Sequence, residues 1–259
     1  MGSFFPELST RVWLVWRRDF DVFRRLFLVN FALPMVEPIL YLVALGFGLG
    51  MFVKQINGVP YSKFIAPGLI SMAMMYASFF ECTFASYVRM YYQRTFDAIV
   101  ATPLNVDEVV AGEILWGATR SAINATLVTL VVIAFRLASP FLILVTPVLG
   151  LGCGLLFGSM GMIATSLVPS IDFFNYPIFL YITPMFLFSG TFFPLEALPK
   201  PVQTISWAIL PLSHVVRINR ALVLGRLRPG LLLSLGWLAL MAVVAFFIAL
   251  RMMKRRLIK

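Results

Sequence analysis

Apolar runs over residues 29–53, 64–88, 114–135, 141–168, 173–193 and 231–250 divide the chain. Each is long enough for the about 20 apolar residues that a membrane-spanning helix needs. The pattern predicts an all-α polytopic membrane protein with six transmembrane helices joined by short connections. The longest polar interruption covers residues 89–113 and reads RMYYQRTFDAIVATPLNVDEVVAGE. It is expected to lie in water as a loop. Within it, Phe96, Ile99 and Val100 share one helical face, Asp97 lies off that face, and Pro103 stops the turn after Thr102. A short amphipathic piece of this kind can dock on a partner.

Residues 7–28 repeat aromatic side chains at helical spacing: Trp13, Trp16, Phe20, Phe23 and Phe27. Arg11, Arg18 and Arg25 recur on another face, which predicts an amphipathic helix lying on the membrane surface within an interfacial segment 1–28. The alternative, a plain continuation of the first span, would place arginines in hydrocarbon at a high cost.

Pro34 and Pro38 are expected to break the first span around Glu37. Asn57-Gly58 marks a turn in the short loop that follows. The fourth run carries Gly150, Gly154 and Gly158 as a small-residue stripe, suited to close helix packing inside the bundle. Pro177 and Pro184 interrupt the fifth. Residues 194–230 contain two amphipathic pieces, 202–210 and 213–224, each too short to cross. They predict a re-entrant helical hairpin before the last span, because irregular backbone at membrane depth must be buried in protein or line a cavity.

Composition sharpens this picture. With 61% hydrophobic and 12% charged residues and a mean hydropathy of +0.93, the 259-residue chain is far too apolar for a soluble domain. The spans leave no room for a soluble catalytic domain, and no GxxxxGK[ST] phosphate loop occurs. Any ATP must therefore be handled by another chain. The net charge of +10 comes largely from basic residues flanking the apolar runs, a topogenic pattern rather than a nucleic-acid footprint. With both termini cytoplasmic, the inside carries Arg11, Arg17, Arg18, Arg24, Arg25, Arg89, Arg94, Arg251, Lys254, Arg255, Arg256 and Lys259. The outside carries Lys54, Lys63, Arg136, Lys200, Arg217, Arg220, Arg226 and Arg228, with an excess just before the last span. Cys82 and Cys153 sit inside apolar runs as small core residues, and no cleavable signal is expected.

Glu37, Glu81, Glu113 and Arg120 lie at or within apolar runs. An unpaired charge at the bilayer centre costs about 3 kcal/mol on insertion scales, so each needs a partner or a wet cavity. Glu113 and Arg120 stand two turns apart, about 10 Å along the axis, too far for a direct bond by backbone geometry alone. Arg120 is expected to meet Glu81 or Glu37 on another helix, either to fix packing or to line a translocation path. His214 has no recognisable catalytic or metal partner and reads as a capping or headgroup contact. Arg217 and Arg220 suit phosphate or carboxylate headgroups. Phe173, Phe174, Tyr176, Phe179, Tyr181 and Phe186 offer either an aromatic wall for a lipid path or ordinary packing.

The ordered set of an interfacial N-terminal helix, QRTFDAIVATPLNVDEVVAGE, FLFSGTFFPLEALPKPVQ and PLSHVVRINRAL resembles the permease subunits of type-two ABC exporters, in the NodJ-like nodulation-factor branch, across essentially the whole chain. The resemblance implies a homodimer in the bacterial inner membrane, driven by two copies of a cytoplasmic ABC ATPase that bind ATP and magnesium. It implies no cofactor or metal in this chain. The coupling helix maps to residues 95–104, with Thr95, Phe96, Asp97, Ile99, Val100, Pro103 and Leu104 at the contact. The interfacial helix, with Trp13, Trp16, Arg17, Arg18 and Phe20, also meets the ATPase. An outer-leaflet hairpin maps to 194–224, and the hairpin and headgroup candidates there and just before it are Gly190, Phe193, Pro194, His214, Arg217 and Arg220. The implied cargo is amphiphilic or lipid-linked: a lipooligosaccharide, glycolipid, polysaccharide or drug. Gln93 and Arg94 depart from the family's more acidic loop start. A secondary transporter coupled to ions is the competing class, argued from the broken helices and Glu37. A membrane-embedded transferase is a third, and it lacks clustered acid-base or metal-binding residues.

Overall fold

The computed structural model describes residues 8–25, 27–226 and 229–257. Parts of the expectations for the 1–28 segment and the 194–230 hairpin, together with Arg228 and Lys259, lie outside the described residues, as does the Phe27 side chain.

Among the described residues, six helical runs are long and apolar enough to cross a membrane: Pro34–Met51, Tyr61–Tyr92, Val106–Ala134, Leu142–Leu167, Ile171–Phe188 and Leu231–Leu257. The protein is thus an all-α polytopic membrane protein. Helix α1 (Val12–Arg25) precedes α2 (Phe27–Tyr41). Helix α2 runs through both Pro34 and Pro38 instead of breaking there, and the irregular backbone comes later, as a π-helical stretch Leu42–Gly48 and a 3-10 turn Leu49–Met51. A minimal hairpin of β1 (Gln55–Ile56) and β2 (Val59–Pro60) then turns at Asn57 and Gly58. Both turn residues have positive φ, 51° and 77°, as the hairpin turn matching strand twist requires.

Helix α3 (Tyr61–Phe80) continues through π-helical turns Glu81–Ala85 and Val88–Tyr92. After α4 (Thr95–Val100) comes α5 (Val106–Ala134). These bounds correct the expectation of a water-exposed loop over 89–113. Only short links around α4 are non-helical, while Arg89 lies in the helix before it and Asp107, Glu108 and Glu113 are buried in the helix after it. The early start of α5 has a local cause. The Asn105 side chain accepts from the Glu108 amide at 2.8 Å, and the Glu108 carboxylate accepts from the Asn105 amide at 2.9 Å, a reciprocal capping box.

Helix α6 (Leu142–Leu167) packs along α5, and α3 and α11 (Leu231–Leu257) flank this pair. The expected stripe makes the α5–α6 approach possible. A β-carbon added at Gly154 would stand 2.6 Å from the Ala118 Cα, and one at Gly150 would stand 2.8 Å from the Ala122 Cα. Buried hydroxyls in these helices bond back to the preceding turn: Thr83, Thr129 and Thr146 donate to carbonyls of residues 79, 125 and 142 at 2.7–2.9 Å. Cys82 and Cys153 are buried free thiols.

The fifth crossing is pieced together from a 3-10 turn Ile171–Phe174, α7 (Asn175–Pro177), a π-helical turn Ile178–Ile182 and α8 (Thr183–Phe188), with Pro184 in the first turn of α8. It ends at Phe188, earlier than the expected 193. Two short helices, α9 (Lys200–Ile209) and α10 (Pro211–Leu224), follow close to the expected positions. Helix α10 is tied into the bundle by Asn219, which donates to the Ser71 Oγ at 2.8 Å.

Because Gly154 meets backbone, Gly154→Val should overpack the seam and cost about 1–3 kcal/mol. Gly152 has nothing within 4 Å of an added β-carbon, so Gly152→Ala should leave stability unchanged or slightly raised. Thermal unfolding of the detergent-purified variants compares the two.

Candidate functional site

Glu113 sits on α5 with no exposure to solvent. A carboxylate so placed needs cations and donors, and three come to it. Its Oε1 accepts from Arg18 Nη2 of α1 at 2.9 Å. Its Oε2 accepts from Ser86 Oγ at 2.6 Å and from Arg89 Nε and Nη2 at 3.0 and 2.5 Å. Arg89 also donates from Nη1 to Glu81 Oε1 at 2.9 Å, and Arg18 Nη2 donates to Asp19 Oδ1 at 2.6 Å. Arg120 Nε lies 3.5 Å from Glu81 Oε2, with its guanidinium 4.8 Å above the Phe23 ring. Arg18, Arg89 and Arg120 thereby face the carboxyl groups of Asp19, Glu81 and Glu113.

The π-helical turns at the end of the second span put Glu81, Ser86 and Arg89 on the side facing α5. Helix α1 reaches the cluster because α5 carries glycine where they cross: a β-carbon at Gly112 would lie 2.5 Å from Val15 Cβ. Aromatic packing fixes the same contact, with Phe20 and Phe23 meeting Trp116 edge-on at centroid distances of 6.4 and 5.5 Å. Trp16 donates from Nε1 to Thr119 Oγ1 at 2.8 Å and stacks on the exposed Trp13. Arg17 faces outward. An open cavity of about 670 Å³ adjoins the cluster and reaches Gln93 and Thr95 at the start of α4.

Burial is the main influence on Asp19. It pushes the carboxyl up to about 7, with Glu113 adding to the rise and Arg89 and Arg18 opposing it.

Helix α4 lies at the edge of this cluster. Arg94 starts it from a left-handed conformation at φ 49°. Phe96 turns into the protein at 1% exposure, so the expected shared face of Phe96, Ile99 and Val100 is split. Phe96 and half-buried Ile99 grip this chain, whereas Asp97, Ala98 and Val100 face outward. The apolar side of a short helix resting on its own bundle is consumed by that bundle. Thr102 Oγ1 donates to the Ile99 carbonyl at 2.6 Å and closes the turn, with Leu104 half-buried beyond it. Both ends of the chain hold the segment in place. Ser9 donates to Glu108, Arg11 donates to the Pro103 carbonyl, and Lys254 of α11 pairs with Asp107 at 3.0 Å.

The remaining candidate residues lie elsewhere. Arg120 pairs with Glu81, one of its two expected partners, and Glu113 and Arg120 make no direct pair, as their spacing implied. Glu37 is exposed on α2 beside a small void shared with Tyr41, Tyr76 and Asn124. His214, expected as a capping or headgroup contact, donates from Nε2 to the Trp207 carbonyl at 2.9 Å in the last turn of α9 and stacks on Trp237. Gly190 adopts φ 75°, and its carbonyl accepts from Arg220 Nη2 at 2.6 Å. Phe193 and Pro194 are half-buried, and Arg217 is exposed with its guanidinium over the Trp207 ring. The fifth-span aromatics divide: Phe174 is fully buried, while Phe173, Tyr176 and Phe179 are exposed. Sequence reading missed Arg18, Ser86 and Arg89 as partners of Glu113, and Asp19 as a further acid paired with Arg18. The available signal was the buried need itself, an acid and a base at the two edges of one polar gap.

The fold therefore defines an all-α multi-pass membrane protein whose short helix α4 sits above a buried charge cluster. The model of the ABC-2 type transporter family matches residues 10–224, and the chain belongs to that family. It is 36% identical over 249 residues to Nodulation protein J of Rhizobium leguminosarum bv. viciae, covering 95% of each chain. To Nodulation protein J of Bradyrhizobium diazoefficiens it is 33% identical over 259 residues, covering 100% of this chain and 98% of the relative. The Inner membrane transport permease YadH of Escherichia coli is 23% identical over 244 residues, covering 93% of each. No solved structure matches.

Removing one member of the cluster strands the others. Glu113→Ala and Arg89→Met should each lower stability by about 3–5 kcal/mol, and the double variant should lose less than the sum. Detergent thermal unfolding of the four proteins closes the cycle. The Asp19 carboxyl is raised in the folded state, so its contribution to α1 docking is complete below its ordinary value of 3.8 and is lost as pH rises through about 7. Proteolytic protection of α1 should fall over that window, and Asp19→Asn should flatten the fall.

Proposed function

We propose that this chain is the permease subunit of an ATP-driven exporter, with α4 as the element that receives motion from a cytoplasmic ATPase. The family supports a membrane-spanning subunit paired with an ATP-binding one. The observation that carries the coupling role is the division of α4. Asp97, Ala98 and Val100 are free for a partner, while Phe96 and Ile99 seat the same helix on this chain.

A push on the free side passes through Phe96 into the bundle and through the 101–105 link into the capped start of α5. The charge cluster makes the receiving end stiff, because α1, the second span and α5 are bound to one another through Glu113. Helix α1, with Trp13 and Arg17 exposed, is a second surface for the ATPase or the lipid interface. Two ATPase copies, which bind ATP and magnesium, serve a dimer of this chain in the bacterial inner membrane, with both termini cytoplasmic. On that orientation α9 and α10 form the outer-leaflet hairpin. The similarity to proteins named Nodulation protein J, together with the resemblance to nodulation-factor exporters, favours an amphiphilic cargo of lipooligosaccharide type.

The docking face is tested by capture of the ATPase on the tagged permease. Val100→Asp and Asp97→Arg should reduce recovery about tenfold, the effect of losing one good interface contact. Phe96→Asp should act instead on folding, since Phe96 is buried. Unchanged recovery with both exposed-face variants would falsify the assigned face. Export by the permease reconstituted alone would replace the ATP-driven reading with ion-coupled transport, for which exposed Glu37 is the candidate group.

A further inference from the structure

The end of the bundle opposite the charge cluster holds a second polar site. Tyr61 and Arg89 mark the two ends of one helical run, roughly 40 Å apart at 1.5 Å per residue. Near the Tyr61 end, α10, α9 and the β1–β2 hairpin enclose an open cavity of about 500 Å³. Its walls carry Arg217, Arg220 and Arg226 against one carboxylate, Glu196. Ser189 and Ser213 also line it, at 0% and 1% exposure, and neither hydroxyl has a hydrogen-bond partner. The Arg220 Nε is buried and unpartnered as well, although its Nη2 donates to the Gly190 carbonyl. Buried donors without acceptors are rare in folded proteins. Here the donors and the surplus of guanidinium charge converge on one space, and an oxyanion would satisfy both.

A second space adjoins the first. An apolar groove of about 700 Å³ runs between α6, α10 and α11, walled by Leu149, Leu155, Leu222, Leu235 and Val243. Leu231 lines both the groove and the basic cavity. A polar chamber and an apolar groove with a shared wall match a molecule having an anionic head and an acyl chain.

We propose that these two spaces form one binding site for a membrane phospholipid, the cavity taking its phosphate ester and the groove one acyl chain. The site stands apart from α4 and needs no ATPase. Its occupant is recognised by the guanidinium groups and serine hydroxyls at the head and by the leucine wall at the tail.

Native mass spectrometry of the detergent-purified protein, offered phosphatidylglycerol or phosphatidylcholine with identical chains, tests the proposal. Phosphatidylglycerol should be retained about tenfold more tightly, because its net negative charge is not cancelled by a choline. Arg217 and Arg226 are exposed, so Arg217→Gln with Arg226→Gln should keep the fold while weakening retention about tenfold. Glu196→Gln, which removes the opposing carboxylate, should strengthen it about threefold. Equal retention of the two lipids, or full retention of phosphatidylglycerol by the double arginine variant, overturns the site. Glycerol phosphate, a head without a chain, should bind far more weakly; equal binding overturns the share assigned to the groove.

Discussion

A single carboxylate with no access to water organises the water-facing end of the bundle that carries α4. Glu113 cannot be left charged in an apolar interior without donors, and burial of an unpaired ion costs several kcal/mol. Arg18, Ser86 and Arg89 meet that demand from two other segments. Satisfying it determines where α1 lies and which side the end of the second span presents. It also permits α5 to begin at Val106, deep in what reads as a polar loop. The position of α4 is a consequence, since its 101–105 link leads straight into the capped start of α5.

The second constraint is close packing. Lipid tails are as apolar as leucine, so helices in a membrane gain little by merely hiding apolar side chains and depend on intimate contact and hydrogen bonds. Gly150 and Gly154 allow α6 to touch the α5 backbone, and Gly112 allows α1 to do the same at the charged end. Helices α3, α5, α6 and α11 accordingly form a dense block. The first and fifth spans differ. They pack less extensively on that block, and Val36, Leu40, Val43 and Phe47 of the first and Tyr176, Phe179 and Leu180 of the fifth are exposed, as much of α11 is on its outer side.

How much of this was legible depends on the range of the interaction. Hydropathy placed the six spans, and the separation of short amphipathic pieces placed α9 and α10, because both signals lie within one helix. The close approach of α6 to α5 was readable from glycine spacing. The Asn105–Glu108 cap was also a local signal, yet the polarity of the surrounding residues outweighed it and made the segment look like a loop. The charge cluster joins residues from α1, the second span and α5, and no periodicity along one element records which arginine will reach Glu113. Phe96 shows the same limit. Helical spacing reveals that α4 has an apolar face, but not whether that face meets a partner or the chain's own core.

The basic residues before the last span illustrate how local bonding can relax a global rule. In the proposed orientation Arg217 and Arg220 lie outside, against the usual bias of positive charge toward the cytoplasm. Their charge is engaged where it stands. The Arg220 guanidinium lies 4.1 Å from the Phe64 ring centroid and donates to the Gly190 carbonyl, and Arg217 covers the Trp207 ring at 5.3 Å. The bias applies to charges that cross or remain in short loops as the chain inserts. A guanidinium held over an aromatic ring, or against a ring and a carbonyl, has a stabilising environment of its own, which offsets the insertion bias at that position. The inner arginines of the charge cluster reach the same result by a different route, exchanging water for carboxylates on neighbouring helices.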